Sequence, residues 1–328
     1  MKKIINTIEY IVDDMCQGIA AANPDVALDE RYRIISRKNL DANKVSLISG
    51  GGSGHEPAHA GFVGNGMLTA AVCGDVFASP STIQVYNAIL QTKSDKGTLL
   101  IIKNYSGDVM NFEAAAEMAV EDGIDVECVY VNDDIAVEDS LYTIGRRGVA
   151  GTLFVHKIAG AAAEAGKELP EVKRIAEKVI QNIKSIGFAL TSCTVPAKGT
   201  PTFSLPNDEI EYGVGIHGEP GIQRCKMDQS DLLAQRMCGS LVNELNLVAG
   251  DTCALMINGL GTTPLMELFV LTNDVVKYME KLQIKIHKVM VGNYMTSLDM
   301  AGASVTALKL DSELTPLLDA ETSVSMWK

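Results

Sequence analysis

The amino-acid sequence predicts an α/β protein of two α/β domains, each with a mixed or parallel sheet flanked by helices. Short apolar runs of strand length recur along the chain and end in glycine or polar clusters. Between them lie segments with apolar residues three and four apart, the period of a helix packed on one face. The length agrees: 328 residues, 47% hydrophobic and 21% charged, suffice for two cores.

The elements follow in order. Residues 45–49 form the first clear strand and run into glycines. Residues 81–92 read as a helix, 99–102 as a strand leading into Lys103, 112–122 as a helix, and 126–131 as a strand ending in an acidic turn. The Ala/Gly-rich stretch 151–166 suits a helix packed tightly on that sheet, and a more polar helix follows over 170–186. Residues 187–220 hold Pro196, Pro201, Pro206 and Pro220 and little helical periodicity, which suits a crossover. Beyond it come a helix over 231–245, a strand over 253–258 and a helix from residue 264 through 270 and onward. Apolar runs at 284–291 and 304–310 complete the second unit. The expected division is therefore 1–186, carrying the glycine loop, and 187–328.

Composition removes several function classes. With 28 basic against 41 acidic side chains the net charge is −13 and the pI about 4.9, so the chain should repel a phosphate backbone and is not expected to touch nucleic acid. The most apolar stretches, 97–102 and 253–257, fall far below the roughly 20 residues of a membrane span. Acidic residues Glu9, Asp13 and Asp14 arrive before any signal core develops. Seven scattered cysteines without a C-x-x-C pair suit reduced thiols in a cytoplasm.

Three motifs could carry chemistry. Ser49-Gly50-Gly51-Gly52-Ser53-Gly54-His55-Glu56-Pro57 sits at a strand's carboxyl end, where open α/β sheets bind ligands. It lacks the Gly-Lys-Ser/Thr of a phosphate loop and the last glycine of a nucleophile elbow. His55 to His59 formally matches H-E-x-x-H, but Pro57 would leave His55 outside any helix, so zinc is not expected. His55 should face the site, with His59 one turn into a following helix. Lys103 to Asp108 brings an ammonium, an amide and a carboxylate to a second strand end. Asp108 either accepts a proton from a substrate hydroxyl or caps the helix running from Val109. Gly215-Ile216-His217-Gly218-Glu219-Pro220 places a histidine among glycines, as a surface turn or as a site residue. His156 and His287 suit structural roles. Asp133-Asp134 and Glu138-Asp139 suit solvated acidic turns better than a cation site.

Taken together with Gly145-Arg146-Arg147-Gly148, Thr194-Val195-Pro196 and Thr296 to Met300, these motifs resemble the substrate-binding K subunit of dihydroxyacetone kinases, essentially end to end. The resemblance implies a homodimer and a histidine that bonds covalently to the ketone, by position His217 as a hemiaminal. It implies ligand contacts at Gly52, Ser53, Gly54, His55, Lys103 and Asp108, with His55 and Asp108 as an acid/base pair. In that family the nucleotide and magnesium belong to a separate helical L subunit or a fused domain. No nucleotide motif stands in this sequence, so no cofactor and no enzyme activity are expected of the chain alone. Where kinase subunits resemble Phe-Thr-Ser-Pro-Thr-Pro-Asp-Gln, the chain has Phe77-Ala78-Ser79-Pro80-Ser81-Thr82-Ile83-Gln84. That loses a hydroxyl and a Pro-Asp helix start, and Ala303 replaces a bulky residue. Such departures suit a ligand-sensing co-activator paralogue working through a TetR-type regulator; the alternative is a working K subunit.

Overall fold

The computed structural model describes residues 2–137 and 145–327. Helix α1 (Ile11–Ala22) precedes an antiparallel edge pair, β1 (Val26–Asp29) and β2 (Ile34–Arg37). Then come β3 (Ser46–Ser53), a 3-10 turn at Ala60–Phe62, β4 (Ala70–Val76), α2 (Thr82–Gln91), β5 (Thr98–Lys103), α3 (Ser106–Glu121) and β6 (Val126–Val131). Helices α4 (Thr152–Glu164) and α5 (Leu169–Gln181) lead to the second sheet. Its elements are β7 (Ile183–Ala189), β8 (Glu209–Tyr212), β9 (Gln223–Lys226), α6 (Ser230–Glu244), β10 (Thr252–Gly259), α7 (Leu265–Lys281), β11 (Lys285–Gly292), β12 (Gly302–Leu310) and α8 (Leu314–Asp319).

Both sheets have six strands, ordered β1-β2-β4-β3-β5-β6 and β11-β10-β12-β7-β8-β9. The first is parallel across β4, β3, β5 and β6; in the second only β10 and β11 run parallel. Strand side chains alternate between two cores. Leu47, Leu99 and Ile101 face the inner cluster, while Ile48, Leu100 and Ile102 pack outward beneath α2 and α3. Burial on both faces explains why β5 reads as one continuous apolar run.

The inner cluster joins the sheets. It passes from Leu47 and Ile101 through Leu153, Ile158 and Val172 to Met256 and Leu308. Helix α4 is buried from Thr152 to Ala163, which is why its sequence carries no polar stripe. Gly160 is needed there, since a Cβ would lie 2.5 Å from the Cα of Met67. A third cluster lies between the second sheet and α6 and α7, giving five layers in all.

Two sequence expectations are corrected. The helix expected over 170–186 stops at Gln181, and Ile183 to Ala189 pair with β12 and β8 as a central strand. Long-range pairing of Ile186 and Phe188 overrides local helical pattern. No α-helix follows Pro57: the chain makes only the 3-10 turn, with His59 at its start. Among the described residues no helix is long and apolar enough to cross a membrane.

Candidate functional site

The site is built where β3, β5 and the loop after β8 meet. Lys103, the last residue of β5, is fully buried, with Nζ 2.9 Å from Asp108 Oδ2 and 3.4 Å from the Gly50 carbonyl. Asp108 lies in the first turn of α3, where the helix dipole favours its charge. The N-cap position belongs to Tyr105, and the Asp108 carboxylate turns to Lys103, so the capping alternative falls away. Gly51 makes room for this pair: its φ is +152°, and a Cβ would collide with Lys103 Nζ.

His55 is buried beneath the glycine loop. Its Nδ1 lies 2.8 Å from the Thr296 carbonyl. A carbonyl only accepts, so Nδ1 carries the proton and Nε2 keeps its lone pair. Burial pushes the His55 pKa down to about 3, with the Lys103 ammonium adding to it. His217 is held well below the ordinary histidine range by burial first, then by His55, Lys103 and Arg147. Both rings are therefore neutral near pH 7. Their Nε2 atoms stand 3.3 Å apart; with His55 accepting, the shared proton sits on His217.

Three rings box the His217 imidazole edge-on: Tyr105 at 4.4 Å, His55 at 4.8 Å and Phe77 at 5.4 Å between centroids. Its backbone N–H donates to Glu219 Oε2 at 2.9 Å. Glu219 Oε1 in turn accepts from Arg147 Nη1 at 2.9 Å, and Arg147 Nε donates to Asp134 Oδ2 at 2.8 Å. Asp133 accepts from the backbone of Val149 and Gly151 and from the Ser185 hydroxyl. The acidic turn expected at Asp133-Asp134 is thus a buried anchor, because distant donors satisfy both carboxylates. Glu138 and Asp139 lie outside the described residues.

A cleft of about 460 Å³ is lined by Gly52, Phe77, Tyr105, Asp108, Lys198 and His217 among others, with the buried His55 against His217 and the buried Lys103 against Asp108. The structure therefore brings together Gly52, His55, Lys103, Asp108 and His217. Ser53 and Gly54 face away: the Ser53 hydroxyl donates to the Gly74 carbonyl at 2.7 Å, and both residues line a separate cavity with Glu56. His59 turns from His55 to His156, with Nδ1 and Nε2 2.9 Å apart. His287 pairs with Asp319 near the surface. Tyr105, Phe77, Arg147, Thr296 and Glu219 all fall within stretches the sequence analysis quotes, but the sequence assigns none of them a role of its own. Among the described residues no group of three or more His, Cys, Asp or Glu side chains is placed to hold a metal ion.

Comparisons with known proteins bear on the family and the fold. A family model described as the Dak1 domain matches residues 17–326. The "PTS-dependent dihydroxyacetone kinase 1, dihydroxyacetone-binding subunit DhaK" of Listeria innocua is 54% identical over 314 residues, 95% of either chain. Among solved structures, the "Dihydroxyacetone kinase operon co-activator Dha-DhaQ" superposes with a TM-score of 0.92 at 37% identity, covering 96% of this chain and 98% of that one. The dihydroxyacetone kinase of C. freundii gives a TM-score of 0.89 at 40% identity, over 98% of this chain and 59% of that longer one.

Proposed function

The chain belongs to the Dak1 domain family, and from that premise we propose that it binds dihydroxyacetone in the cleft as a hemiaminal on Nε2 of His217. The observation that carries this is the buried His55–His217 pair, with Nε2 atoms 3.3 Å apart, beside the Lys103–Asp108 ion pair. A neutral imidazole is the form that adds to a ketone. The bond forms between Nε2 and the carbonyl carbon as His55 Nε2 takes the His217 proton. That proton passes to the former carbonyl oxygen, leaving a neutral hydroxyl and both histidines uncharged. A ligand of about six heavy atoms gains at most roughly −1.5 kcal/mol per atom from contacts, so a covalent bond strengthens retention. It also discriminates against polyols, which have no carbonyl. Asp108 stands where it can accept a proton from a terminal hydroxyl as that oxygen attacks a phosphoryl donor.

For the ligated chain, a working K subunit of a dihydroxyacetone kinase is the better-supported role. The 54% identity to the Listeria kinase subunit exceeds the 37% to the co-activator. The difference at Thr82-Ile83 also costs no helix start: Ser81 caps α2, and Gln84 closes a reciprocal capping box. What favours a co-activator working through a TetR-type regulator is the close superposition on that structure and the missing hydroxyl at Ala78. In either role the chain acts as a homodimer in the cytoplasm, in keeping with seven unpaired cysteines. Phosphoryl transfer needs a nucleotide-carrying L subunit.

Intact-mass measurement tests the ligand. Wild type should gain one dihydroxyacetone and His217→Ala none; an adduct persisting in His217→Ala sinks the hemiaminal. Turnover on adding an L subunit and phosphoryl donor supports the kinase role. Absence of turnover, with ligand-dependent capture of a TetR-type regulator, supports the co-activator.

A further inference from the structure

His217 rides on a loop that has little stiffness of its own. Gly213, Gly215 and Gly218 flank it, and Gly213 and Gly218 hold φ values of +76° and +73°. Such a segment loses more backbone entropy on ordering than most, so something must hold it. The holding group lies far away in sequence. Arg147 is 1% exposed and uses its whole fork. Nη1 goes to Glu219, Nη2 donates to the Gly213 carbonyl at 3.1 Å, and Nε goes to Asp134. Asp134 is itself fixed, since its backbone bridges Ser185 of β7. The fork thus ties both ends of the histidine loop to the central strand of the second sheet.

We propose that Arg147 is a positioning residue for the covalent step: through Glu219 it fixes the His217 backbone, and so the direction of Nε2 toward His55 and the ketone. This rests on the hemiaminal proposed above. The geometry favours a positioning role over a purely structural one. Glu219 spends one oxygen on Arg147 and the other on the N–H of His217 itself. No Cβ fits at Gly215, because it would collide with Glu219 Oε1 and press on Arg147 Nη1. Lysine, with a single point of charge, cannot make the three directed contacts of the guanidinium.

The test uses the full chain with dihydroxyacetone and two readouts. The first is the ketone concentration giving half-maximal adduct. Arg147→Met and Glu219→Ala should each raise it by about tenfold or more, the order expected when a reacting atom is misplaced by a fraction of an ångström. Because removing one member leaves a buried charge unpaired, the triple variant Asp134→Asn, Arg147→Met, Glu219→Gln removes all three together and guards against simple unfolding. It should melt near wild type yet still need at least about tenfold more ketone. The second readout needs no ligand: the side-chain nitrogen signals of His217. Wild type should show one fixed tautomer with the proton on Nε2, and Glu219→Ala should average the two. If wild type forms no adduct, the hemiaminal fails, while the nitrogen signals still judge the clamp. Half-adduct concentrations within about twofold of wild type, with unchanged nitrogen signals, would overturn it.

Discussion

Acid should weaken this fold through its buried histidines, by an amount that can be worked out. His55 and His156 both have pKa values of about 3 in the folded chain, each pushed down by burial first and by the Lys103 ammonium second. In the unfolded chain a histidine titrates near about 6.5. The unfolded state therefore takes up the proton first, so each contribution is fully present above pH 6.5 and is lost as the pH falls toward 3. Between pH 7 and pH 5 the loss is about 2 kcal/mol per histidine, at 1.36 kcal/mol per pKa unit. Buried carboxylates shift the opposite way: burial raises Asp133, and it raises Asp134 to about 6 against the pull of Arg147. A direct comparison cancels them. His156→Gln keeps a hydrogen-bonding partner for His59 and removes one titration. Urea unfolding at the two pH values should show wild type losing about 2 kcal/mol more than the variant. Equal losses in the two chains would refute a neutral, buried His156.

Three further changes have definite signs. Gly160→Ala gains up to about 1 kcal/mol of helix propensity, but its methyl meets the backbone of Met67 and Gly66, and overpacking of that kind costs about 1–3 kcal/mol. Thermal melting should register a net loss. Ser81→Ala removes the cap of α2 and should cost about 1 kcal/mol by denaturant titration, with ketone binding unchanged. Lys103→Met strands the Asp108 carboxylate, 4% exposed, and should cost about 3–5 kcal/mol. Adding Asp108→Leu should return much of that stability while leaving ketone binding impaired.

The sequence was most informative where chemistry is concentrated at strand ends. Gly52, His55, Lys103 and Asp108 stood out because glycine clusters and mixed charges after an apolar run have few other uses. Asp133 and Asp134 read as a solvated turn because adjacent acids usually are one, while their partners Val149, Gly151, Ser185 and Arg147 are 13 to 52 residues away. The helix expected over 81–92 matches α2 in its start, because Ser81 and Gln84 form the capping box without a Pro-Asp pair. Ser53 and Gly54 stand in the same loop but border a neighbouring cavity, where β3 ends and its ladder to β4 shifts register between Gly51 and Ser53. The end of α5 was hidden because Ile183 and Ile186 satisfy helix and strand patterns alike until β12 is beside them.

Helix α4 carries a mechanical consequence. A hinge between the two sheets would have to expose residues from Thr152 to Ala163, all of them buried, at roughly 25 cal/mol for each square ångström of apolar surface laid bare. A ligand of about six heavy atoms cannot drive an opening of that size. A ligand that reaches the cleft therefore does so without the sheets parting, since Gly52, Asp108 and His217 already line it, and the two halves should unfold in a single cooperative transition instead of melting in sequence.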